Sequence, residues 1–309
     1  MFLTEQDLKQ IEQTLYTPKE SELKLRQIVR VNTSFQPFAQ SIGYRWYSRD
    51  GAANIMAMGA HAKDIPFVDE NGGESVRKVY KIVSGVRYTQ EELMAVQAAR
   101  TLGNGPNINL ELLRVETARK KVADVENILG FVGDTTHNIK GLLNHAGIVA
   151  EDVAQGATGS TAAEKRLWSN KTPKEKLADI VTAKKSVRQG GLFNPDVLVL
   201  PPAQFDMLDL PYSDSTTMTL RQWIQSQGLG ITRILDAREL EKDYNGFSTV
   251  DCFLMMDSSP EVAELAVTQD IQILPPVYDI LRGSEQAVYE STAGIIIRYP
   301  KAIYVGKGI

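Results

Sequence analysis

The sequence predicts an α+β fold with a mixed sheet, and three observations predict it. Between residues 89 and 129 apolar side chains recur every three or four positions, which is helical spacing. Before that region, two β-prone segments, Ile42 to Ser48 and Val76 to Tyr88, flank a tract of small and polar residues. From residue 172 onward, helices alternate with short, wholly apolar strands.

In chain order, residues 1–40 read as an arm. Thr4 can cap a short helix with Asp7 three positions on, and Leu8, Ile11 and Leu15 fall on one side of it. Pro18 ends it. Leu23 to Val31 alternates charged and apolar residues without enough hydrophobic mass to fold alone. Residues 41–88 then read as a long, twisted hairpin with a loose tip, from Gly51 through Asn71-Gly72-Gly73. Its alternation, in Val76, Val79, Ile82, Val83 and Val86, is imperfect. An isolated pair of strands is marginal in water, so the rest of this chain or another copy must cover it.

Thr89 and Glu92 form a capping box, and Leu93, Val96, Ala99 and Leu102 follow at helical spacing. Gly103-Asn104-Gly105-Pro106 interrupts that helix. Asn109 can cap the next, on which Ile108, Leu112, Val115, Ala118, Val122, Val125 and Leu129 form one face. The opposite face carries Arg114, Arg119, Lys120, Lys121 and Asp124. At about 1.5 Å per residue this helix spans roughly 30 Å, long enough to lie along a sheet.

Thr172, Pro173 and Glu175 occupy the cap, first and third positions of a helix that stops at Gly190-Gly191. Val197 to Leu200 is a buried strand closed by Pro201-Pro202. Leu220 to Gln227 reads as a helix, and Ile231 to Leu235 and Asp251 to Met256 as strands. A short helix is expected after Ser259-Pro260. Ile271 to Leu274, Gly294 to Arg298 and Ala302 to Val305 complete the strands. There are no repeats or low-complexity tracts.

The 309 residues hold one large domain or two modest ones, with 43% apolar and 23% charged residues as in ordinary globular chains. A net charge of −4 argues against a dedicated DNA-binding or membrane-surface protein, which would show a basic excess or stripe. One cysteine, Cys252, excludes an intrachain disulfide framework and multi-cysteine metal sites. It lies in an apolar run, where a free thiol packs as a small hydrophobe. No leader and no run of about 18 apolar residues is present, so the chain is expected to be made and used in a cytoplasm, away from membranes.

The search for chemistry yields no active site. His61, His137 and His145 share no ligand spacing and read as solvated or locally hydrogen-bonded. Gly103 to Asn107 lacks the Gly-Lys-Ser/Thr of a phosphate loop, and Pro106 removes a donor that a phosphate would need. Gly228-Leu229-Gly230 precedes a strand, the wrong order for a dinucleotide fingerprint. The pairs Lys120-Lys121 and Lys184-Lys185 read as solvated helix faces. No cofactor or metal is expected.

One stretch is more specific. It runs from Asn107-Ile108-Asn109-Leu110 through Glu126-Asn127-Ile128-Leu129-Gly130-Phe131-Val132-Gly133 to Ile139-Lys140-Gly141-Leu142-Leu143-Asn144. It resembles the spine-helix region of HK97-fold shell proteins, the major capsid proteins of tailed bacteriophages and the encapsulins. Glu126, Phe131, Gly133 and Gly141-Leu142-Leu143 stand at the matching places, and Gly130 departs from the family's usual bulky apolar residue. The order of elements matches too. The resemblance implies an N-terminal arm over 1–40, an extended E-loop hairpin over 41–88 and a peripheral (P) domain with the spine helix over 89–190. An axial (A) domain with a mixed sheet would follow over 191–290, with terminal strands over 291–309 returning to the P-domain.

The implied function is assembly. Ordering a hairpin of this length costs on the order of 1–2 kcal/mol per residue in backbone entropy, which a neighbouring copy would offset. Tyr44, Trp46, Tyr47, Ile55, Met56, Phe67 and Val68 are the expected inter-subunit contacts of the E-loop, and Leu8, Ile11 and Leu15 those of the arm, against a neighbour or the lumen. Lys63 lies in the hairpin, where some relatives crosslink, but nothing marks it for that role. The partners would be copies of the chain in hexamers and pentamers and weakly held double-stranded DNA, with portal, scaffolding or decoration proteins as further candidates. The setting would be a virion capsid assembled in a host cytoplasm. An encapsulin enclosing an enzyme cargo stays open, although an extra insertion around residues 146–171 favours a phage. An α+β enzyme with an accidental likeness also stays open.

Overall fold

The computed structural model describes residues 22–51, 68–102, 110–213, 216–226, 228–246, 250–279 and 283–309. The expected contacts Leu8, Ile11, Leu15, Ile55, Met56 and Phe67 lie outside them, as do Lys63, the Asn109 cap and the Gly103–Pro106 break.

The first half contains α1 (Leu25–Ile28), β1 (Arg30–Asn32), β2 (Ser41–Gly51), β3 (Val68–Lys78), β4 (Tyr80–Tyr88), α2 (Gln90–Leu102) and α3 (Leu110–Phe131). Then follow β5 (Gly133–Asp134), β6 (Ile139–Lys140), β7 (Val149–Asp152), α4 (Ala162–Arg166) and α5 (Pro173–Arg188). The second half adds β8 (Val197–Leu200), α6 (Pro202–Asp206), β9 (Pro211–Ser213), β10 (Thr216–Thr219), α7 (Leu220–Ser226) and β11 (Arg233–Asp236). It closes with β12 (Cys252–Met256), β13 (Ala263–Ile273), β14 (Val277–Asp279), β15 (Gly283–Ile297) and β16 (Ile303–Lys307).

Two five-stranded sheets organise these elements. In the first, β15 pairs antiparallel with β13 and β14 and, along its other side, with β4; β1 adds in parallel to β13. The 22-residue helix α3 lies across this sheet, packing on β4, β13 and β15. The second sheet has the order β11-β8-β12-β16-β7 and is mixed, with α5 packed on β12 and β16.

The wholly apolar runs follow from that sandwiching. Val197, Val199, Cys252, Leu254 and Met256 join the core shared with α1, Phe131 and β13. Their alternates Leu198, Leu200, Phe253 and Met255 join a second core with α5, α7 and Trp168. A strand covered on both faces has no polar face to show. The insertion at 146–171 is part of this plan, because β7 supplies an outer strand and Trp168 is fully buried.

Both predicted capping boxes form. Glu92 N donates to Thr89 Oγ1 over 3.3 Å and Thr89 N to Glu92 Oε2 over 3.2 Å. Thr172 and Glu175 make the same reciprocal pair at the start of α5. On α3, Ala118, Val122 and Leu129 are buried as expected, but Leu112 and Val125 are exposed. The sheet beneath covers an arc narrower than the apolar stripe.

Three local readings change. The helix expected after Ser259-Pro260 is a turn leading into β13, because Glu264, Leu265 and Ala266 pair with β1 and β15 on both sides. Tertiary pairing there overrides local propensity. The strand expected over Val76 to Tyr88 divides at Val79: Val76 to Lys78 belong to the hairpin, and Tyr80–Tyr88 to the first sheet. Asn71-Gly72-Gly73, read as part of a loose tip, is paired strand. Trp46 lies opposite Gly73, and a Cβ on Gly73 would stand 2.7 Å from the indole, so the glycine lets the ring lie across the pair. Elsewhere, β15 runs unbroken from Gly283 to Ile297, and α5 packs on the second sheet.

Candidate assembly surfaces

The hairpin of β2 and β3 is a two-stranded sheet, in antiparallel register from Ser41↔Lys78 to Gly51↔Val68. Among its described residues, the root is the part built into the molecule. Ile42 is buried with Ala266, Ala293 and Ile296, and Tyr44 and Val79 pack against that cluster. Beyond the root, Trp46 is 50% exposed, and Tyr47 and Val68 are each 65% exposed; at the root itself Val76, opposite Gly43, is 60% exposed. Of the expected contacts, the structure therefore places Trp46, Tyr47 and Val68 on the projecting hairpin and Tyr44 at its anchored base.

The root is tied to the turn after the spine helix. Arg77 Nη2 lies 3.0 Å from His145 Nε2, while His145 Nδ1 lies 2.8 Å from the carbonyl of Ala146. A carbonyl only accepts, so Nδ1 carries the proton and Nε2 takes the Arg77 hydrogen bond. Burial holds the His145 imidazole below its ordinary pKa, which favours this neutral form. His137 Nδ1 meets Asp134, and its ring stands edge-on to Tyr80. Among the described residues no group of three or more His, Cys, Asp or Glu could hold a metal. The Cys252 thiol is buried, and burial pushes its pKa up to about 12.

The described part of the arm is welded into the fold. Leu25, Ile28 and Val29 are buried, Leu25 N donates to Asn127 Oδ1 over 3.1 Å, and Arg233 Nη1 donates to the carbonyl of Gln27. Arg26 bonds Glu126, Asp270 and Glu290. Sequence reasoning missed a second apolar surface, where Ile273, Leu274, Val277 and Tyr278 are all exposed around β14. Pro275-Pro276 between apolar neighbours was the available signal, since prolines cannot continue a paired strand.

A family model described as "Major capsid protein" matches residues 51–309. The chain belongs to the major capsid protein family. Solved structures agree on the fold. The capsid of Myoviridae phage XM1 is 14% identical, with 100% of this chain and 99% of that one covered and a TM-score of 0.81. The capsid of a native gene transfer agent (GTA) particle is 15% identical, with 97% and 94% covered and a TM-score of 0.62. A virus-like particle from Pyrococcus furiosus is 15% identical, with 93% and 92% covered and a TM-score of 0.54. A comparison with curated proteins finds no match. This major capsid protein thus has the HK97-like fold and is a shell subunit, a component of a virion capsid; the encapsulin and enzyme readings are not favoured. No described helix is long and apolar enough to cross a membrane.

Proposed function

We propose that this major capsid protein closes an icosahedral shell of hexamers and pentamers around double-stranded DNA by laying its hairpin across a neighbouring copy. The supporting observation is the hairpin itself: eleven paired residues per strand, projecting from an anchored root with Trp46, Tyr47 and Val68 uncovered. A two-stranded ribbon gains too little from its own contacts to stay ordered in water. A neighbour's surface would offset that cost through an interface of at least about 2,000 Å². Repeated around a closed surface, modest contacts of this kind sum to a stable particle. Ile55, Met56 and Phe67 would extend the same contact, and Leu8, Ile11 and Leu15 would add an arm contact to a neighbour or the lumen. The net charge of −4 suits weak, non-specific contact with the packaged DNA. Assembly in a host cytoplasm, with portal, scaffolding or decoration proteins, completes the reading.

The test is the double substitution Trp46→Ala and Tyr47→Ala. Tyr47 is largely exposed and Trp46 half-exposed across Gly73, so thermal unfolding of the unassembled subunit should shift by no more than about 1 kcal/mol. Particles seen by sedimentation and negative-stain microscopy should be lost. Wild-type particle yield from the double variant would refute the proposal.

A further inference from the structure

Beside the hairpin root is a cleft of about 710 Å³ between β3 and the β5–β6 turn that follows the spine helix. Arg77, Lys78 and Lys140 line it, with His137, His145 and Tyr44. Three full cations in one cleft stand out in a chain whose net charge is −4. Among the described residues no carboxylate lies within ion-pair distance of Arg77, Lys78 or Lys140, whereas most other partly buried arginines have one. Asp134, close by in sequence, is engaged by His137 and by the backbone of Thr136. Arg77 is partly buried, and burial disfavours its charge. An uncompensated cationic cleft of this kind fits an anion.

The other end of the same hairpin carries the complementary charge. Asp69 and Glu70 are exposed on β3, and the register sets them opposite Asp50 and Arg49. From Asp69 to Lys78 along an extended strand is roughly 30 Å, so these acids cannot reach the cleft of their own chain. A second copy can supply them. We infer that the cleft lined by Arg77, Lys78 and Lys140 receives the Asp69–Glu70 segment of a neighbouring copy's hairpin. The contact joins two different surfaces, head to tail, and such contacts close into rings when the rotation between copies allows. This rests on the proposed role of the hairpin and names the surface on which it lands.

The experiment is a charge exchange in the full chain, read as particle yield and critical concentration for assembly. D69K/E70K and K78E/K140E should each abolish particles, and the four substitutions together should restore them to within about twofold of wild type. K78Q/K140Q, which removes charge without reversing it, should raise the critical concentration about tenfold or more, and wild-type assembly should weaken with added salt. Circular dichroism and thermal unfolding of each subunit check folding. Wild-type yield from K78Q/K140Q, or a folded fourfold variant that fails to assemble, would overturn the inference. Loss of packaged DNA with assembly intact in K78Q/K140Q would overturn it too, giving the cleft to nucleic acid. If Trp46→Ala/Tyr47→Ala blocks assembly while the charge variants do not, the hairpin proposal stands and this landing site falls.

Discussion

Gly130 leaves open the space that Leu25 fills. A Cβ built at position 130 would stand 2.2 Å from Leu25 Cδ2 and 2.5 Å from Cδ1, and Leu25 is itself 1% exposed. The departure from the family's usual bulky residue is therefore a socket for α1, more than a hundred residues earlier in the chain. With Leu25 N on Asn127 and Arg26 on Glu126, two consecutive residues of α3's last turns, together with Gly130, hold the arm's root. This explains why Leu23 to Val31 is ordered without a core of its own.

Gly130→Ala tests the socket. In an open helix the change would stabilise by up to about 1 kcal/mol. Here overpacking costs about 1–3 kcal/mol and should win, lowering the denaturation midpoint. Leu25→Ala alone should cost about 2–5 kcal/mol. In the Leu25→Ala background, Gly130→Ala should become neutral or stabilising, a coupling that a double-mutant cycle measures. Additive effects would show that the two positions do not share the space.

Glu290 should make stability fall toward alkaline pH. It is fully buried, Arg26 Nη2 donates to its Oε1 over 3.2 Å, and its Oε2 has no hydrogen-bond partner. Burial, then the nearby Glu126 charge, pushes its pKa from 4.5 up to about 8. A raised carboxyl pKa means the folded state holds a proton that the unfolded state has released. The contribution is therefore complete below about pH 4.5 and lost as pH rises through about 8. Glu290→Gln should flatten that slope, gaining on the order of a few kcal/mol over wild type at pH 9. Parallel melting-temperature profiles for the two proteins would contradict this.

His145 gives the opposite slope. Its pKa is lowered, chiefly by burial, so the folded state resists a proton that the unfolded chain takes up. Stability contributed by the neutral ring is present above about pH 6.5 and lost as pH falls through the depressed value. A protonated Nε2 would also face Arg77 donor to donor. Hydrogen exchange at the hairpin root should accelerate at pH 5 in wild type relative to His145→Gln, whose side-chain oxygen can still accept from Arg77. Equal exchange in both at pH 5 would count against this coupling.

The second core has its own test. Lys171 Nζ and Asp179 Oδ2 are 2.5 Å apart with both side chains buried, and Trp168 Nε1 donates to the same oxygen over 2.9 Å. Lys171→Met leaves a buried carboxylate with one partner and should cost about 3–5 kcal/mol. Lys171→Met with Asp179→Asn removes the charge, keeps an acceptor for Trp168, and should recover much of that loss in chemical denaturation.

Read alone, the sequence determined what is local: the long helix α3, the capping boxes at Thr89 and Thr172, and the double-sided strands β8 and β12. Spacing and capping chemistry act within a few residues, so they are visible without a fold. The spine motif also carried the family. Tertiary structure alone decided the split of Val76 to Tyr88 at Val79, the strand β13 where a helix was expected, and the cleft between Arg77 and Lys140. Each depends on pairing partners tens to hundreds of residues away. A strand's edge partners and a glycine's neighbour leave no periodic trace in the segment that receives them, so in sequence Gly130 reads as an irregularity, although in the fold Leu25 fills the space beside it.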